Sequence, residues 1–236
     1  MKKKQNKDYI HKEFPKTCDP KDFFGQVKRT VNGKPIPIDQ IQMIVNTIKN
    51  KLDLQENDFL FDIGCGNAAL ASYFFDDIRG YRGVDFSECL IKIGKENFEK
   101  PGFELILSDA ILYLKDIEIS RDVTKVLCYG VFSYFTDEDV IFLFDLLYQK
   151  FPNLKAIFIG NIPDRERAEL FYYSDIDFSN LLDDEGSSIG KWWSKTQLSK
   201  IINNDIYQTQ ASNMPNDFYA SHYRFDFLLS KKQYET

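Results

Sequence analysis

Short runs of apolar residues alternate along the chain with longer segments in which apolar residues recur every three or four positions. Short runs rich in aromatic and β-branched residues are typical of buried strands, and the longer period is typical of helices. The predicted strands span residues 59–63, 81–87, 103–107, 123–129, 154–159, 206–211 and 223–229. The predicted helices span residues 39–48, 68–76, 88–99, 111–117, 136–148, 164–173 and 194–202. This alternation predicts an α/β protein.

A glycine-rich turn, Asp-Ile-Gly-Cys-Gly-Asn at residues 62–67, follows the first predicted strand. Glycine permits positive φ and a close approach to a ligand, and a helix that starts here would present unpaired N–H groups. The turn therefore predicts a cofactor cradle. Gly64-x-Gly66-x-x-Ala69 fits the dinucleotide fingerprint, whereas Asp62 would repel a pyrophosphate and suits a ligand with an ammonium group. A glycine-rich turn without a ligand is the third interpretation.

Acidic residues also end the second and third predicted strands. Asp85 lies 23 residues after Asp62, where a carboxylate can accept both hydroxyl groups of a ribose, and NAD enzymes use the same arrangement. Asp109 follows the third strand. The alternative is that these residues cap the helices that follow: Ser87 or Asp85 the helix at residues 88–99, with Ser87 the expected cap, and Asp109 the next helix. The strand ends together favour a cofactor that contains a nucleoside.

The pattern Asp-x-Gly-x-Gly-Asn at residues 62–67 resembles motif I of the class I S-adenosylmethionine-dependent methyltransferases of the small bacterial type. The resemblance is specific for residues 58–135, and it departs at Ala68, where many members have a third glycine. In that family the glycines pass under the aminoacyl part of the cofactor. The resemblance implies that Asp85 binds the ribose and that Asp109, with the neighbouring N–H, recognises the adenine.

The resemblance also implies a fold. It is a Rossmann-like three-layer sandwich with a seven-stranded, mostly parallel sheet, in which strand 7 at residues 223–229 is antiparallel to the rest. We expect residues 1–236 to form a single domain. Residues 1–50 would cap the cofactor, and an insertion at residues 165–200 would form the acceptor side or a lid.

S-adenosylmethionine is the expected cofactor. The expected cofactor-binding residues are Gln26, Arg29, Asp62, Gly64, Cys65, Gly66, Asn67, Asp85, Phe86, Ser108, Asp109, Ala110, Tyr129 and Gly130. Gln26 and Arg29 precede the first strand and are candidates to reach the carboxylate of the cofactor. The alternative is that both are surface residues of a loop.

His222 and Tyr129 are the candidate catalytic residues. Methyl transfer is an in-line displacement that depends on positioning, and a hydroxyl acceptor gains further from a base. His222 precedes the last strand and could be that base, or it could be a hydrogen-bonded histidine at the strand edge. Tyr134, Asn161 and Asp164 are further candidates at strand ends.

Two arginines, Arg165 and Arg224, could bind an anionic acceptor, and surface salt bridges would explain them equally well. Metal-dependent methyl transfer would need acids clustered after the fourth and fifth strands. Those ends carry Tyr129-Gly130 and Asn161 instead, so no metal site is expected.

Composition narrows the choice of partners. The formal net charge is −6 and the pI is about 5.1, which argues against a nucleic acid bound through its phosphates. The basic start Lys2–Lys4 is not followed by an apolar run, and the apolar segment 140–148 is broken by Asp145, so neither a leader nor a membrane span is expected. The four cysteines are widely spaced and there are only two histidines, so neither a disulfide framework nor a zinc site is expected. Reduced thiols would suit a cytoplasmic protein.

The sequence thus favours a methyltransferase that acts on a small polar acceptor, a sugar or another metabolite, at oxygen rather than nitrogen. The alternatives are an NAD-dependent oxidoreductase and a non-catalytic module that binds the cofactor. The acceptor pocket would be built by the segments with the least motif content, so neither the acceptor nor the oligomeric state follows from the sequence.

Overall fold

The computed structural model describes residues 8–31, 34–172, 177–202 and 205–232. Lys2–Lys4 and residues 173–176 of the predicted insertion lie outside these ranges.

The described residues form β-strands, α-helices, short 3₁₀ segments and one π-helical turn. The strands are β1 (Thr30–Val31), β2 (Lys34–Pro35), β3 (Phe59–Ile63), β4 (Gly80–Asp85), β5 (Phe103–Leu107), β6 (Lys125–Tyr129), β7 (Ala156–Pro163), β8 (Tyr207–Asn213) and β9 (Arg224–Lys231). The α-helices are α1 (Phe23–Gln26), α2 (Ile38–Leu52), α3 (Glu88–Asn97), α4 (Ala110–Asp116), α5 (Asp137–Lys150) and α6 (Lys195–Ile201). A π-helical turn spans Tyr9–Glu13, and 3₁₀ turns span Phe14–Thr17, Ala71–Phe74, Phe132–Tyr134, Arg165–Leu170 and Ser179–Leu181.

Seven of the strands form one sheet in the order β5-β4-β3-β6-β7-β9-β8. The strands from β5 to β7 run parallel, and β9 runs antiparallel to both of its neighbours. This confirms the predicted sheet with its antiparallel strand 7. The chain proceeds from β3 towards β5 on one side and then crosses to β6 on the other. Ligands bind outside the carboxyl ends of the strands at such a switch point.

Helices cover both faces of the sheet. On one face α2 buries Ile41, Ile44, Val45 and Ile48, the apolar stripe that the sequence predicted. On the other face α4, α5 and α6 pack in a second cluster that includes Phe61 of β3. The three layers confirm the predicted Rossmann-like sandwich.

The segment after β3 corrects the prediction of a helix at residues 68–76. Gly64, Gly66 and Ala68 have φ angles of 68°, 58° and 61°. Residues in the left-handed region cannot start a right-handed α-helix, and for a residue with a Cβ this region is strained. The side chain of Asn67 also closes a local turn. Only the 3₁₀ turn at Ala71–Phe74 follows.

The predicted helix at residues 164–173 is also wrong. The chain forms a 3₁₀ segment at Arg165–Leu170 that leaves the helical conformation at Arg167, where φ is −125°. The guanidinium of Arg167 donates hydrogen bonds to the carbonyl groups of Ser221 and Arg224, so a tertiary contact competes with the local helix.

Among the described residues, no helix has the length and apolar character needed to cross a membrane.

Candidate active site

Two adjoining cavities lie at the carboxyl ends of β3, β4 and β6. The first contains Asp62 and has a volume of about 210 Å³, and we call it the Asp62 chamber. The second contains Asp109 and has a volume of about 530 Å³, and we call it the Asp109 chamber. The residues that line both are His11, Gly64, Asp85, Val131 and Tyr134. The two chambers therefore form one trough across the switch point of the sheet.

The glycine-rich turn forms a wall of the Asp62 chamber that has no room for side chains. A Cβ atom on Gly64 would lie 2.7 Å from Cγ2 of Val131, and a Cβ atom on Gly66 would lie 2.9 Å from Cγ1 of Val27. Both glycines also have positive φ. Only glycine meets both requirements, so a ligand in this chamber would contact bare backbone.

Asp62 is 6% exposed at the end of β3, where its Oδ2 accepts a hydrogen bond of 2.9 Å from the hydroxyl of Tyr81. Burial raises the pKa of Asp62 to about 7, although the Tyr81 hydrogen bond and the charge of Arg29 act in the opposite direction. An ionised carboxylate in this position costs free energy until a cation reaches it. The position suits the cationic group of a ligand.

Arg29 lies in the same chamber, with its guanidinium 5.4 Å from the centre of the Tyr129 ring. Within the described part of the chain its guanidinium has neither a hydrogen bond nor an ion pair. Burial lowers its pKa, although the nearby acidic groups, Asp62 among them, oppose this effect. A guanidinium has five N–H donors and prefers a carboxylate as its partner. The position suits the anionic group of a ligand.

Asp85 stands where the two chambers meet. Its Oδ2 accepts the Gly66 N–H at 2.9 Å and its Oδ1 accepts the Ser87 N–H at 2.8 Å. Burial raises the pKa of Asp85 to about 6, and these two backbone hydrogen bonds oppose the rise. Each oxygen keeps a further lone pair for a ligand hydroxyl group, and the backbone fixes where these lone pairs point.

The Asp109 chamber is bordered by Phe86, Ser108, Asp109 and Ala110, all of them expected site residues. Asp109 also caps α4, because its Oδ1 accepts the N–H groups of the next helix turn at 2.9 and 3.0 Å. Phe86, a large apolar residue, is 39% exposed. The chamber thus offers an exposed aromatic surface beside polar backbone groups, which suits a flat heterocycle.

The N-terminal segment borders the trough on the side away from the sheet. His11 lines both chambers, and its ring lies edge-on to Tyr134 at 4.7 Å and to Phe86 at 5.7 Å. The Oγ of Ser87 donates a hydrogen bond to the His11 carbonyl. Sequence reasoning did not single out His11, because it lies in a polar stretch without a recognisable motif.

Gln26 does not line either chamber, which corrects its expected role at the cofactor. Its Nε2 donates to the carbonyl groups of Asp19 and Pro20 at 3.0 and 3.1 Å, and its Oε1 accepts from Nδ2 of Asn67 at 2.9 Å. All its polar atoms are thus occupied within the protein. The side chain ties the N-terminal segment to the glycine-rich turn, and it supports the site without facing it.

His222 does not line either chamber, and its side chain is exposed. Its ring contacts only the ring of Tyr223 among the aromatic groups described, at 4.7 Å. The turn before β9 directs Tyr219, Tyr223 and Arg224 to the Asp62 chamber and leaves His222 on the outside. The structure thus gives no geometric support for His222 as the base, and that role stays a prediction.

A group of polar side chains lies at one end of the Asp62 chamber, and we call it the tyrosine pocket. Its members are Tyr129, Tyr134, Asn161, Tyr219 and Arg224. Tyr129 is 6% exposed, and neither its hydroxyl nor Oδ1 of Asn161 has a hydrogen-bond partner among the residues that the structure describes. Buried polar atoms without partners are rare in proteins and point to a ligand. The pocket thus offers one hydroxyl and one amide oxygen to a polar molecule.

The backbone of Asn161 is held in an unusual conformation. Its φ is 66°, its N–H donates to Oδ1 of Asp226 at 2.9 Å, and its carbonyl accepts from Nη1 of Arg224 at 2.5 Å. A left-handed non-glycine residue persists only when its surroundings fix it. The two charged neighbours therefore aim the Asn161 side chain.

Two other candidates lie outside the trough. Asp164 is buried and within 3.5 Å of Nζ of Lys195, and Arg165 pairs at the surface with Asp183 at 2.5 Å. Arg165 therefore forms the surface salt bridge that the sequence left open.

Cys65 lines the Asp62 chamber, where burial raises the pKa of its thiol. In the part of the chain that the structure describes, no cluster of three or more His, Cys, Asp or Glu residues could hold a metal ion.

The chain resembles solved methyltransferases in structure and not in sequence. No protein-family model and no curated protein matches it. Magnesium protoporphyrin IX methyltransferase from Synechocystis PCC 6803 with bound S-adenosylmethionine superposes with a TM-score of 0.55 and 11% identity, over 82% of this chain and 79% of the other. The plantazolicin methyltransferase in complex with S-adenosylhomocysteine gives 0.57 and 14%, over 82% and 85% of the two chains.

An rRNA methylase from Streptococcus thermophilus gives a TM-score of 0.52 and 11% identity, over 82% of this chain and 97% of the other. The chain therefore has the fold of the class I S-adenosylmethionine-dependent methyltransferases. These three neighbours are named for very different acceptors, so the fold does not define the acceptor.

Proposed function

We propose that this protein is an S-adenosylmethionine-dependent methyltransferase that methylates a small polar acceptor at oxygen. One observation carries the proposal. A trough at the switch point of the fold brings together three groups: a buried carboxylate, Asp62; a guanidinium without a hydrogen bond or ion pair among the described residues, that of Arg29; and a carboxylate fixed by the backbone, Asp85. These three groups match the charged and polar parts of one cofactor.

The residues fit S-adenosylmethionine from end to end. Arg29 would bind its carboxylate and Asp62 its ammonium group, while the bare backbone at Gly64 lets the aminoacyl part approach. Asp85 would accept the ribose hydroxyl groups. The adenine would lie in the Asp109 chamber, against the exposed ring of Phe86. An NAD-dependent oxidoreductase would instead place a pyrophosphate next to Asp62, where like charges repel.

When bound, S-adenosylmethionine supplies an electrophilic methyl group and a neutral thioether as the leaving group. The protein contributes position and a dry environment, and positioning alone can lower a barrier by about 7–11 kcal/mol. The N-terminal segment with His11 borders the trough, and the tyrosine pocket would hold the acceptor at one end of the Asp62 chamber. Gly130 keeps the lip between them free of a side chain.

The charge of the tyrosine pocket favours oxygen over nitrogen as the methylated atom. Arg224 places a cation at the pocket, and a protonated amine would be repelled there. The hydroxyl of Tyr129 and the amide oxygen of Asn161 can bind polar oxygen-containing groups. Both features support a polar acceptor of small size.

Ligand binding by the wild type and Asp85→Asn tests the proposal. We expect S-adenosylhomocysteine to raise the melting temperature of the wild type and NAD to have no effect. At 100 times its dissociation constant, a ligand adds about 2.7 kcal/mol to the free energy of unfolding. In Asp85→Asn, an amide nitrogen would face a backbone N–H, and affinity should fall about 10- to 100-fold. Asp183→Asn, at the exposed salt bridge, is the matched control and should bind as the wild type does.

Each outcome separates the alternatives. A shift with NAD and none with S-adenosylhomocysteine would show that the oxidoreductase is correct. Equal affinity of Asp85→Asn and the wild type would contradict the proposed ribose contact. Binding of S-adenosylhomocysteine without methyl transfer to any acceptor in a broad panel of alcohols, acids and amines would favour a non-catalytic module.

A further inference from the structure

Arg224 reaches the tyrosine pocket from the first residue of β9. Its Nη1 donates to the Asn161 carbonyl at 2.5 Å, and its guanidinium carbon lies 5.0 Å from the centre of the Tyr223 ring. Within the described residues it has no ion pair with a carboxylate. Most of its five N–H donors are therefore available to a ligand.

The charges around the Asp62 chamber leave Arg224 without a counter-charge. In the proposed complex, the cofactor's ammonium and carboxylate groups match Asp62 and Arg29. Asp85 accepts hydroxyl groups, and Lys28 lies over the ring of Phe14 at 4.5 Å. The sulfonium centre adds one more positive charge. The single negative charge of a carboxylate at Arg224 would offset one of these two positive charges.

None of the five members of the tyrosine pocket is a ready general base. Burial raises the pKa values of Tyr129, Tyr134 and Tyr219, so these phenols stay protonated near neutral pH. Asp226 accepts the Asn161 N–H and does not line the chamber, and the His11 ring lies edge-on to Tyr134 at 4.7 Å and to Phe86 at 5.7 Å, where the two chambers meet. An acceptor that is already anionic needs no base.

We propose that the acceptor is a small carboxylic acid, bound as its carboxylate by Arg224 and converted into a methyl ester. The inference rests on the proposed function, and it names the acceptor class for the same site. The Tyr129 hydroxyl can donate to the carboxylate as well, and the Tyr219 and Tyr223 rings provide aromatic walls for the remainder of the acid.

The reaction balances without a proton transfer. A carboxylate oxygen forms a bond to the methyl carbon while the carbon–sulfur bond breaks, and the electron pair of that bond stays on sulfur. An anion and a cation thereby become a neutral ester and a neutral thioether. Loss of opposite charges is favoured in a chamber of low dielectric constant, because the products need little solvation.

The first measurement is binding, independent of turnover. The full-length protein saturated with S-adenosylhomocysteine is titrated with benzoate and with benzamide, which has the same shape and no charge. We expect benzoate to bind about tenfold more tightly or better, and Arg224→Gln to abolish the difference. Arg224→Lys should keep part of it. Arg165→Gln, which removes an exposed arginine from a surface salt bridge, should keep all of it.

The second measurement is the chemistry of the product. S-adenosylmethionine with a tritiated methyl group is incubated with benzoate, phenylacetate and the corresponding amides and alcohols. We expect label that mild base releases as methanol, which is diagnostic of a methyl ester, from the acids alone. With S-adenosylmethionine saturating, so that its ammonium group keeps Asp62 ionised, the rate should change little between about pH 6 and 9, because the acceptor is ionised throughout and no base titrates.

Two failures can be told apart. If S-adenosylhomocysteine binds but the acids are not preferred to their amides, or if the label is stable to base, the carboxylate assignment is wrong while the proposed function stands. If S-adenosylhomocysteine does not bind, the proposed function itself fails. Equal affinity of each variant for S-adenosylhomocysteine shows that it is folded, so a loss of benzoate binding in Arg224→Gln then reports on the acceptor site.

Discussion

Replacing Asp62 with asparagine should make the ligand-free protein more stable and its cofactor binding weaker. Asparagine has the same shape, and its carbonyl oxygen can still accept the hydrogen bond from Tyr81. What it removes is a buried negative charge, because the carboxyl group is 6% exposed and its nearest cation, Arg29, forms no ion pair with it. The variant therefore separates the effect of that charge on the stability of the ligand-free protein from its effect on cofactor affinity.

The size of the effect follows from the pKa of Asp62, which burial raises from 3.8 to about 7. The folded protein holds this proton more tightly than the unfolded chain does. The carboxyl group therefore imposes no cost on folding below about pH 4, where it is protonated in both states. The cost grows as the pH rises from about 4 to about 7. Above that pH the ionised carboxyl costs on the order of 4 kcal/mol, which asparagine does not incur. For a chain of this size each kcal/mol moves the melting temperature by about 2–4 °C.

Calorimetry of both proteins without ligand, from about pH 5 to pH 8, measures this cost. We expect Asp62→Asn to melt at a higher temperature at pH 8 and the difference to shrink towards pH 5. Asp85 and Asp226, with pKa values of about 6, titrate in both proteins, so the difference between the two curves isolates Asp62. Coincident melting at pH 8 would refute the argument that the carboxylate lacks a counter-charge. Affinity for S-adenosylhomocysteine should fall about 10- to 100-fold, because the ammonium group loses its partner.

Two further predictions concern residues on either side of the trough. Gly64→Ala should destabilise the protein by more than about 1–2 kcal/mol in chemical denaturation, because it adds a contact with Val131 to the strain of a positive φ. Gly102→Ala also has positive φ but meets no atom within 4 Å, and it should cost less; equal losses would refute the steric argument. His222→Ala should leave S-adenosylhomocysteine affinity unchanged and stability within about 0.5 kcal/mol, and a large loss of methyl transfer would return His222 to the mechanism.

The sheet could be predicted because its strands are short, continuously apolar runs bounded by polar turns. β3 and β6 are examples, because they are buried on both faces and nearly all of their residues are apolar, whereas the edge strand β5 exposes Glu104 and Leu107. The acids at the strand ends could be predicted for the same reason. Once Asp62, Asp85 and Asp109 end neighbouring parallel strands, the sheet itself brings them to one edge.

What could not be predicted depends on contacts between distant segments. The left-handed conformation of Ala68 is not an intrinsic preference of alanine, and it arises in a turn tied by Gln26 and Asn67 to the N-terminal segment. The choice between the two histidines likewise depended on the turn before β9, which directs His222 outwards, and on the segment that brings His11 to the trough. No local pattern encodes either arrangement.

The position of the N-terminal segment also has a kinetic consequence. Ile10 of that segment is buried, and the carbonyl of the next residue, His11, accepts a hydrogen bond from the Ser87 hydroxyl beside the trough. How long a ligand stays bound should therefore depend on how often this short segment opens, which is local unfolding and not movement of the sheet. An affinity tag fused upstream would burden that same segment, so exchange rates are best measured on protein tagged at the other end.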